Sequence, residues 1–455
     1  MSTLKAVVLA GGKGTRLRPL TYTKPKPLLP LAGEPAIAHL IRKLAHDGID
    51  EIVITTNYFA KRLHETIGDG SRYGVRIHHV DEATPLGTAG SVKNSEALID
   101  ETFLVVQGDN QFDFKLGPLV EFHRQLGSSV TLGLIEVPNP SEYGIAEVSD
   151  GRVVRFLEKP KPEECFSNLI NTGLYVLEPE VLKLVPEGKA FDFSKNLFPL
   201  MLRRGMALGG FHASGFWVDI GDPESYLKAN FHALDEFAQE RVGGVDKVLA
   251  GLDASTPTGA TLRGPVCLAK SARIQKGAEI GPYACVGEGV EVSEGARIVG
   301  SIVYENTQIG AGSVLETCVV AENCKIGGKV RVEPNTLVGS WTEIGDNARL
   351  TNGSKVGPWA IVSSGGAIQG DIADFEKHSE RISEILEGMQ TNSGLTGDEA
   401  RICAVLCEMG EADMETIGRL ALMGHADVRS ALAILQKRGI VTSSGKESGQ
   451  FALAR

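Results

Sequence analysis

Several absences from this 455-residue sequence restrict what the protein can be. No apolar run approaches the ~20 residues that a membrane helix requires, so we expect no membrane association. The seven cysteines include no Cys-x-x-Cys pair, which favours reduced thiols and a cytoplasmic location over a disulfide or zinc framework. Basic residues are fewer than acidic ones, with 46 Lys and Arg against 57 Asp and Glu. The formal net charge of −11 opposes non-specific binding of nucleic acid by the chain as a whole.

A glycine-rich turn near the N-terminus is the strongest positive signal. The apolar run Ala6–Ala10 is typical of a buried parallel strand, and it breaks into Gly11-Gly12-Lys13-Gly14-Thr15. Glycines let the backbone lie against a ligand with its N–H groups exposed. Arg16 and Lys26 bring positive charge to the same region. The turn does not match Gly-x-x-x-x-Gly-Lys-Ser/Thr or Gly-x-Gly-x-x-Gly, so it predicts a different kind of nucleoside triphosphate site.

The longer pattern around this turn resembles a known family. Residues 11–21 read Gly-Gly-Lys-Gly-Thr-Arg-Leu-Arg-Pro-Leu-Thr, and Pro25-Lys26-Pro27 follows. This is similar to the signature of the sugar-1-phosphate nucleotidylyltransferases (NDP-sugar pyrophosphorylases), and the similarity extends to about Tyr226. The resemblance implies transfer of a nucleotidyl group from a nucleoside triphosphate to a sugar-1-phosphate. It also implies that the triphosphate is held by Leu9, Gly11, Gly12, Gly14 and Thr15.

Two aspartates are candidate Mg²⁺ ligands. Asp109 ends the apolar strand Leu104–Gln107 plus Gly108, and Asp219 lies in Phe216-Trp217-Val218-Asp219-Ile220-Gly221. Magnesium prefers one or two carboxylates together with phosphate oxygens and waters. A turn or capping aspartate is the alternative for each alone, but the Gly-Asp and Trp-x-Asp-x-Gly contexts match the family.

Arg16 and Lys26 are the predicted electrostatic catalysts, together with Asp109 at the metal. Negative charge grows on the oxygens of the reacting phosphorus, and fixed cations stabilise it. A solvated loop lysine is the alternative for Lys26, but the flanking prolines restrict the backbone and so aim the side chain. No general base is required, because a phosphate monoester is already anionic near neutral pH.

The sugar phosphate is expected to bind at three short motifs. By resemblance, Lys159 holds the phosphate, while Glu158, Asn171 and the backbone at Gly144 contact the hydroxyl groups. A carboxylate and a carboxamide suit hydroxyl binding. Without the family context, a surface Glu-Lys pair is the simpler interpretation of Glu158 and Lys159.

The choice of base depends on the segment 82–90, where Glu82, Pro85, Gly87 and Thr88 are predicted to contact the nucleotide. Related thymidylyl- and uridylyltransferases often carry glutamine at the position of Glu82. A carboxylate only accepts hydrogen bonds, and guanine offers two adjacent donors. This favours GTP with mannose-1-phosphate, provided that Glu82 faces the base. If it faces solvent, UTP or dTTP with glucose-1-phosphate fits equally well.

The chain divides into four predicted parts. Residues 1–240 alternate strand-like and helix-like segments, which predicts an α/β, Rossmann-like nucleotidyltransferase domain with a mostly parallel sheet. Residues 255–372 carry aliphatic side chains at every sixth position, with a slip in phase near 299–312 that predicts a loop or an irregular coil. After the slip, Val314, Val320 and Ile326 continue the series. This period predicts a left-handed parallel β-helix of hexapeptide repeats.

The last two parts are a helix with a linker at residues 373–394 and a winged-helix-like domain at residues 395–455. Some relatives pair the first domain with a β-helix acetyltransferase that relies on a histidine, but none occurs between His232 and His378. We therefore interpret the β-helix as a scaffold for oligomerisation or regulation, and expect the β-helix, the tail or both to mediate homo-oligomerisation. An inactive nucleotide-sugar sensor acting through the tail is the rival hypothesis. Nearly balanced charge in the tail opposes DNA binding.

Overall fold

The computed structural model describes residues 4–57, 59–242, 248–250, 259–372, 395, 397–409, 411–421, 423, 425–443 and 450–454. The chain forms two compact units. The first contains Met1–Arg16 and Lys24–Asn230, and the second contains Leu17–Thr23 and Phe231–Arg455. The predicted helix and linker at 373–394 lie outside the described residues.

The first unit alternates strands with helices, as predicted for an α/β layer. Its strands are β1 (Lys5–Leu9), β2 (Pro30–Leu31), β3 (Glu34–Pro35), β4 (Glu51–Thr56), β5 (Arg76–Asp81), β6 (Phe103–Gln107), β7 (Asn110–Phe112), β8 (Val130–Glu136), β9 (Gly144–Ser149), β10 (Arg152–Glu158), β11 (Leu169–Leu177), β12 (Leu208–His212) and β13 (Trp217–Asp219). Its helices are α1 (Ala36–His46), α2 (Ala60–Ile67), α3 (Gly87–Asn94), α4 (Gly117–Leu126), α5 (Phe198–Arg203) and α6 (Pro223–Val242), the last of which continues into the second unit.

Short helices fill several connections. The 3₁₀ turns are Thr15–Leu17, Leu20–Tyr22, Lys26–Leu28, Ser71–Tyr73, Glu96–Leu98, Pro140–Glu142, Pro162–Glu164 and Pro179–Leu184, and Phe193–Leu197 is a π-helical turn.

The main sheet is mixed rather than mostly parallel, which corrects the prediction. Among the described residues its strand order is β5-β4-β1-β6-β11-β8-β12-β10-β9. The first four strands are mutually parallel, and β12 is parallel to β8. The other neighbours pair antiparallel. Two residues connect β9 to β10, and such a short hairpin connection produces an antiparallel pair.

The parallel half of the sheet is buried on both faces. Ala6, Val8 and Ala10 belong to one hydrophobic core, whereas Val7 and Leu9 belong to another on the opposite face. Successive side chains of a strand point to opposite faces, so a fully apolar strand requires a cover on each side. The loops at the carboxyl ends of β1 and β6 therefore emerge from a rigid centre.

The second unit contains three parallel sheets of very short strands, consistent with a β-helix. The strands are β14 (Val248–Ala250), β15 (Thr261–Leu262), β16 (Val266–Leu268), β17 (Arg273–Ile274), β18 (Glu279–Ile280), β19 (Ala284–Val286), β20 (Glu291–Val292), β21 (Arg297–Val299), β22 (Ile302–Val303), β23 (Gln308–Ile309), β24 (Val314–Glu316), β25 (Val319–Val320), β26 (Lys325–Ile326), β27 (Arg331–Val332), β28 (Leu337–Val338), β29 (Glu343–Ile344), β30 (Arg349–Leu350), β31 (Lys355–Val356), β32 (Ile361–Val362), β33 (Ala367–Ile368) and β34 (Asp371–Ile372). From β15 onward every third strand joins the same sheet, and β14 pairs with β16. The aliphatic residues of the period form a continuous core.

The slip in phase has a simpler cause than the predicted loop or irregular coil. Leu268 pairs with Val286 eighteen residues later, but Val286 pairs with Val303 after seventeen, as does Val303 with Val320. Two successive coils are thus one residue short and keep their strand pairing. As a consequence Leu315 is fully buried and Val314 is only half-buried, so the prediction of Val314 as the inward residue was wrong.

The C-terminal tail forms three helices and a small antiparallel sheet. They are α7 (Gly397–Met409), α8 (Met414–Ala421) and α9 (His425–Lys437), with β35 (Glu411–Asp413), β36 (Val441–Ser443) and β37 (Gln450–Leu453) in the order β35-β37-β36. The winged-helix assignment stays a prediction. No helix among the described residues is long and apolar enough to cross a membrane.

Candidate active site

The glycine turn leaves the centre of the main sheet. Leu9 pairs with Thr55 on one side and Gln107 on the other, and the Ala10 N–H donates to the Thr55 carbonyl at 2.8 Å. Gly14 has φ +62°, which favours glycine, and Gly12 is open on the side where a Cβ would lie. The side chain of Leu9 is core, so only its backbone is placed to contact a nucleotide. Gly11, Gly12 and Thr15 are at least partly exposed, as a phosphate cradle requires.

Strand pairing brings the two candidate metal ligands together. Asp109 follows β6, and in the β7–β13 ribbon Asp219 pairs with Asn110, the residue after Asp109. The Ile220 N–H also donates to the Asp109 carbonyl at 3.1 Å. Sequence positions 110 residues apart thus become neighbours, because both segments join one two-stranded ribbon.

Lys26 lies between these carboxylates. Its Nζ donates to Asp109 Oδ2 and, at 3.0 Å, to Asp219 Oδ1. The residue is only 8% exposed, in the 3₁₀ turn Lys26–Leu28. Burial opposes its charge, but the two carboxylates outweigh burial and raise the pKa of Lys26. Lys26 is therefore a fixed cation rather than a solvated loop lysine.

Neighbouring charges of both signs act on the pKa of Asp219. Burial and the negative charge of Asp109 raise the pKa of Asp219, while Lys26 and Arg16 oppose that shift. Arg16 Nη2 is 3.9 Å from Asp219 Oδ2, and the Arg16 side chain is more than half exposed. Two cations and two carboxylates thus face one region, with Arg16 free to reach toward a bound anion.

These carboxylates suit the magnesium that the sequence predicts. Two close hard-oxygen donors beside a phosphate cradle match the way Mg²⁺ is usually held, with phosphates and waters completing the shell. Among the described residues, no cluster of three or more His, Cys, Asp or Glu side chains has the geometry to bind a metal ion without other ligands.

The predicted sugar site is assembled by three neighbouring strands. Gly144 pairs with Glu158 across β9 and β10, and Ile145 pairs with Ile170 of β11, next to Asn171. A Cβ at Gly144 would lie 2.6 Å from Glu158 Oε2, so any other residue would displace that carboxylate or itself. Lys159 is exposed and has φ +47°, an uncommon conformation for lysine.

A bulge in β11 connects the predicted sugar site to the β7–β13 ribbon. The strand loses register between Asn171 and Tyr175, and the freed Thr172 carbonyl accepts hydrogen bonds from Asn110 Nδ2 and, at 3.2 Å, from Trp217 Nε1. Asn171 Nδ2 in turn donates to the Tyr175 hydroxyl at 2.9 Å. Sequence reasoning had assigned no role to Asn110, Trp217 or Tyr175. The position of Asn110, directly after the predicted metal ligand Asp109, was a sequence feature that could have indicated a role near the site.

The predicted nucleotide residues of segment 82–90 also make contacts within the protein. Glu82 is 8% exposed and its Oε2 accepts the Leu86 N–H at 3.3 Å, which holds the carboxylate against the exposed Pro85 turn. Thr88 instead donates to Asp192 from its N–H and its hydroxyl, at 3.1 and 3.3 Å. A Cβ on Gly87, where φ is +69°, would lie 3.0 Å from the Phe191 backbone. Gly87 and Thr88 thus have a packing role with residues 191–192, besides the predicted contact with a nucleotide.

Glu158 should influence stability as well as binding. Burial raises its pKa, opposed by Lys159, by a hydrogen bond from Ser194 and by Lys195. A raised folded pKa means that its stabilising contribution is fully present below the unfolded value of about 4.3 and is lost as the pH rises through the folded pKa. We expect Glu158→Gln to raise Tm near neutral pH by roughly 1–3 °C and to leave it nearly unchanged at the acid end of that window.

The measurement is Tm between pH 4 and 8 for the wild type, Glu158→Gln and Glu147→Gln. Glu147 is an exposed residue on the same β9–β10 hairpin, and its replacement is the matched control for removing one carboxylate charge. Parallel curves for the wild type and Glu158→Gln would contradict the assignment.

Comparisons with known proteins identify the family of this chain. The nucleotidyl transferase family model matches residues 5–236, and a model described as the GMPPB C-terminal domain matches residues 262–372. A UTP–glucose-1-phosphate uridylyltransferase of Synechocystis is 31% identical over 73% of this chain and 92% of its own. Mannose-1-phosphate guanylyltransferases of Mycobacterium tuberculosis and Candida albicans are each 34% identical, over 68% and 79% of this chain and 82% and 98% of theirs. This chain belongs to the nucleotidyl transferase family.

Proposed function

We propose that this protein transfers a nucleotidyl group from GTP to mannose-1-phosphate, giving GDP-mannose and pyrophosphate. The observation that carries the reaction class is the buried Lys26 between Asp109 and Asp219, beside the glycine turn. The same arrangement opposes the inactive-sensor hypothesis, because all predicted catalytic positions are occupied by competent side chains.

The reaction is an in-line displacement at the α-phosphorus of the triphosphate. An oxygen of the sugar phosphate forms a new bond to that phosphorus, and the bond to the pyrophosphate oxygen breaks. Backbone N–H groups of the glycine turn hold the triphosphate, and Lys159 holds the sugar phosphate. Arg16 and Lys26 offset the charge that grows around the reacting centre.

Asp109 and Asp219 would hold the Mg²⁺. When bound, the ion neutralises phosphate charge and orients the pyrophosphate leaving group. Lys26 lies within reach of the same carboxylates, so its ammonium group holds the aspartates in place before substrate binds. The Asn110 and Trp217 hydrogen bonds to Thr172 keep the sugar site aligned with these aspartates.

Glu82 supports the choice of GTP. Its carboxylate is oriented by the Leu86 N–H, yet each carboxylate oxygen can accept more than one hydrogen bond. The N1–H and exocyclic amine of guanine are two adjacent donors that such a group satisfies. Uracil and thymine offer one donor between two acceptors, which a carboxylate repels. Relatives named guanylyltransferases are consistent with this choice, and the uridylyltransferase relative supports UTP with glucose-1-phosphate as the second candidate.

The test is pyrophosphate release with Mg²⁺, crossing five nucleoside triphosphates with mannose- and glucose-1-phosphate. We expect GTP with mannose-1-phosphate to give the highest kcat/KM. Glu82→Gln should lower the ratio of kcat/KM for GTP to that for UTP by about 10-fold or more, since a lost or mismatched hydrogen bond to a base edge is worth about 1–3 kcal/mol.

The exposed Glu101→Gln is the matched control and should leave that ratio unchanged. A wild-type preference for UTP or dTTP with glucose-1-phosphate would overturn the substrate proposal and leave the reaction class intact. An unchanged base ratio in Glu82→Gln would show that Glu82 only caps its loop.

Self-association through the β-helix stays a prediction. Ile361 on β32 is 74% exposed, which is unusual for isoleucine and offers an apolar contact point on that face.

A further inference from the structure

The segment Leu17–Thr23 belongs to the second compact unit, although the residues on both sides of it belong to the first. Arg16 immediately precedes this segment, and Lys26 follows it by three residues. The seven residues between these two cations thus belong to the second unit. Contacts that fix this segment therefore restrain the chain next to Arg16 and next to Lys26.

Two contacts with the β-helix hold the end of this segment. Thr23 and Ser340 have their hydroxyl oxygens 3.0 Å apart, in a hydrogen bond between two buried side chains. A Cβ on Gly339 would lie 3.1 Å from Cβ of Pro19, so the segment lies close against that turn of the coil. Trp341, the residue after Ser340, stacks on Trp359 of the next coil, with ring centroids 4.6 Å apart and ring planes 10° from parallel.

Tyr22 joins the segment to the C-terminal tail. It is 6% exposed and is part of the hydrophobic core of the tail, which otherwise consists of residues from 402 to 441. The guanidinium of Arg18 lies 4.7 Å from the centre of its ring, a cation–π distance. An aromatic side chain from the start of the chain therefore completes a core that forms almost four hundred residues later.

We propose that Tyr22 is a positioning residue, through which the C-terminal tail sets the placement of Arg16 and the glycine turn on the triphosphate. This proposal rests on the nucleotidyl transfer proposed above. Because Leu17–Thr23 packs within the second unit, a change in the tail core acts on this segment rather than on the ligands directly. Reacting groups displaced by about 1 Å lose as much as 10²-fold in rate.

The position of the segment predicts which kinetic constants change. Arg16 and the glycine turn act on the triphosphate, whereas Glu158, Lys159 and Asn171 act on the sugar phosphate. Tyr22→Ala should therefore lower kcat by about 10- to 100-fold and raise KM for the nucleoside triphosphate about 5- to 10-fold, with KM for the sugar phosphate within about twofold of wild type. Partial unfolding would lower kcat without changing either KM.

The experiment uses full-length variants, whose folding is checked by circular dichroism and thermal melting. Tyr22→Phe keeps the ring and should restore wild-type constants within about threefold. Leu420→Ala loosens the tail core itself and should reproduce the split between the two KM values, whereas Arg429→Ala, on an exposed position of the tail, should not. If Tyr22→Ala does not fold, Tyr22→Leu and Leu420→Ala serve for the same measurement.

Unchanged KM for the triphosphate in folded Tyr22→Ala or Tyr22→Leu would overturn the proposal, as would equal increases in both KM values. A wild-type protein inactive with every substrate pair would instead reject nucleotidyl transfer itself, so the two failures are distinguishable.

Discussion

Lys26→Met is expected to lower kcat by about 10²–10³ while the protein remains folded. The wild-type ammonium is buried and donates to Asp109 and Asp219, so methionine keeps the volume of the stem and removes the charge. Loss of that charge also leaves two partly buried carboxylates facing each other, which destabilises the site. Steady-state kinetics together with thermal melting measures both effects.

Magnesium should distinguish the charge effect from a packing effect. We propose that Mg²⁺ binds the same two carboxylates that contact Lys26, so Mg²⁺ should raise Tm more in Lys26→Met than in the wild type. The control is Lys115→Met, an exposed lysine of the same unit, which should change neither kcat nor the response to Mg²⁺. Lys26→Met with full turnover would contradict the role assigned to Lys26. An equal Tm response in both proteins would contradict the shared carboxylate site.

Asp219→Asn should lower kcat by about 10²-fold or more and raise the Mg²⁺ concentration required for half-maximal activity. Asparagine keeps the shape and the β13 pairing, so the missing charge is the main change. Asp109→Asn should have a similar effect. The double variant should be little worse than either single variant, because residues that act as one unit are strongly non-additive.

Titration of activity with Mg²⁺ at saturating substrates tests this expectation. Glu224→Gln, five residues after Asp219 and exposed, makes the same change of charge outside the site and should leave the titration unchanged. Additive losses in the double variant would place the two aspartates in separate roles. An unaltered Mg²⁺ requirement in both single variants would remove them from the metal site.

Local patterns were sufficient for much of the architecture. The six-residue period predicted the parallel coils because each coil repeats the same inward position, and that signal depends only on nearby residues. The apolar run Leu104–Gln107 likewise predicted a strand, and β6 (Phe103–Gln107) includes it. The period did not predict the two coils that are one residue short. Whether Leu315 or Val314 points inward depends on pairing with the neighbouring coils.

Pairing between distant segments was beyond the reach of sequence patterns. For example, β11 pairs antiparallel with both β6 and β8, whereas a strand pattern looks the same in either direction. Asp109, Asp219 and Lys26 were each predicted from their local sequence contexts. Both aspartates contact Lys26 because the β7–β13 ribbon brings the aspartates together.

The sequence by itself therefore determined the reaction class, the repeating coils and the residue types of the site, because glycine turns, carboxylates and periodic aliphatics carry their chemistry locally. Only the tertiary structure decided that Lys26 bridges the two aspartates, that a bulge links the predicted sugar residues to them, and that Tyr22 belongs to the core of the tail. Each of these depends on residues far apart in the chain, whose proximity is produced by packing and strand pairing rather than by local sequence.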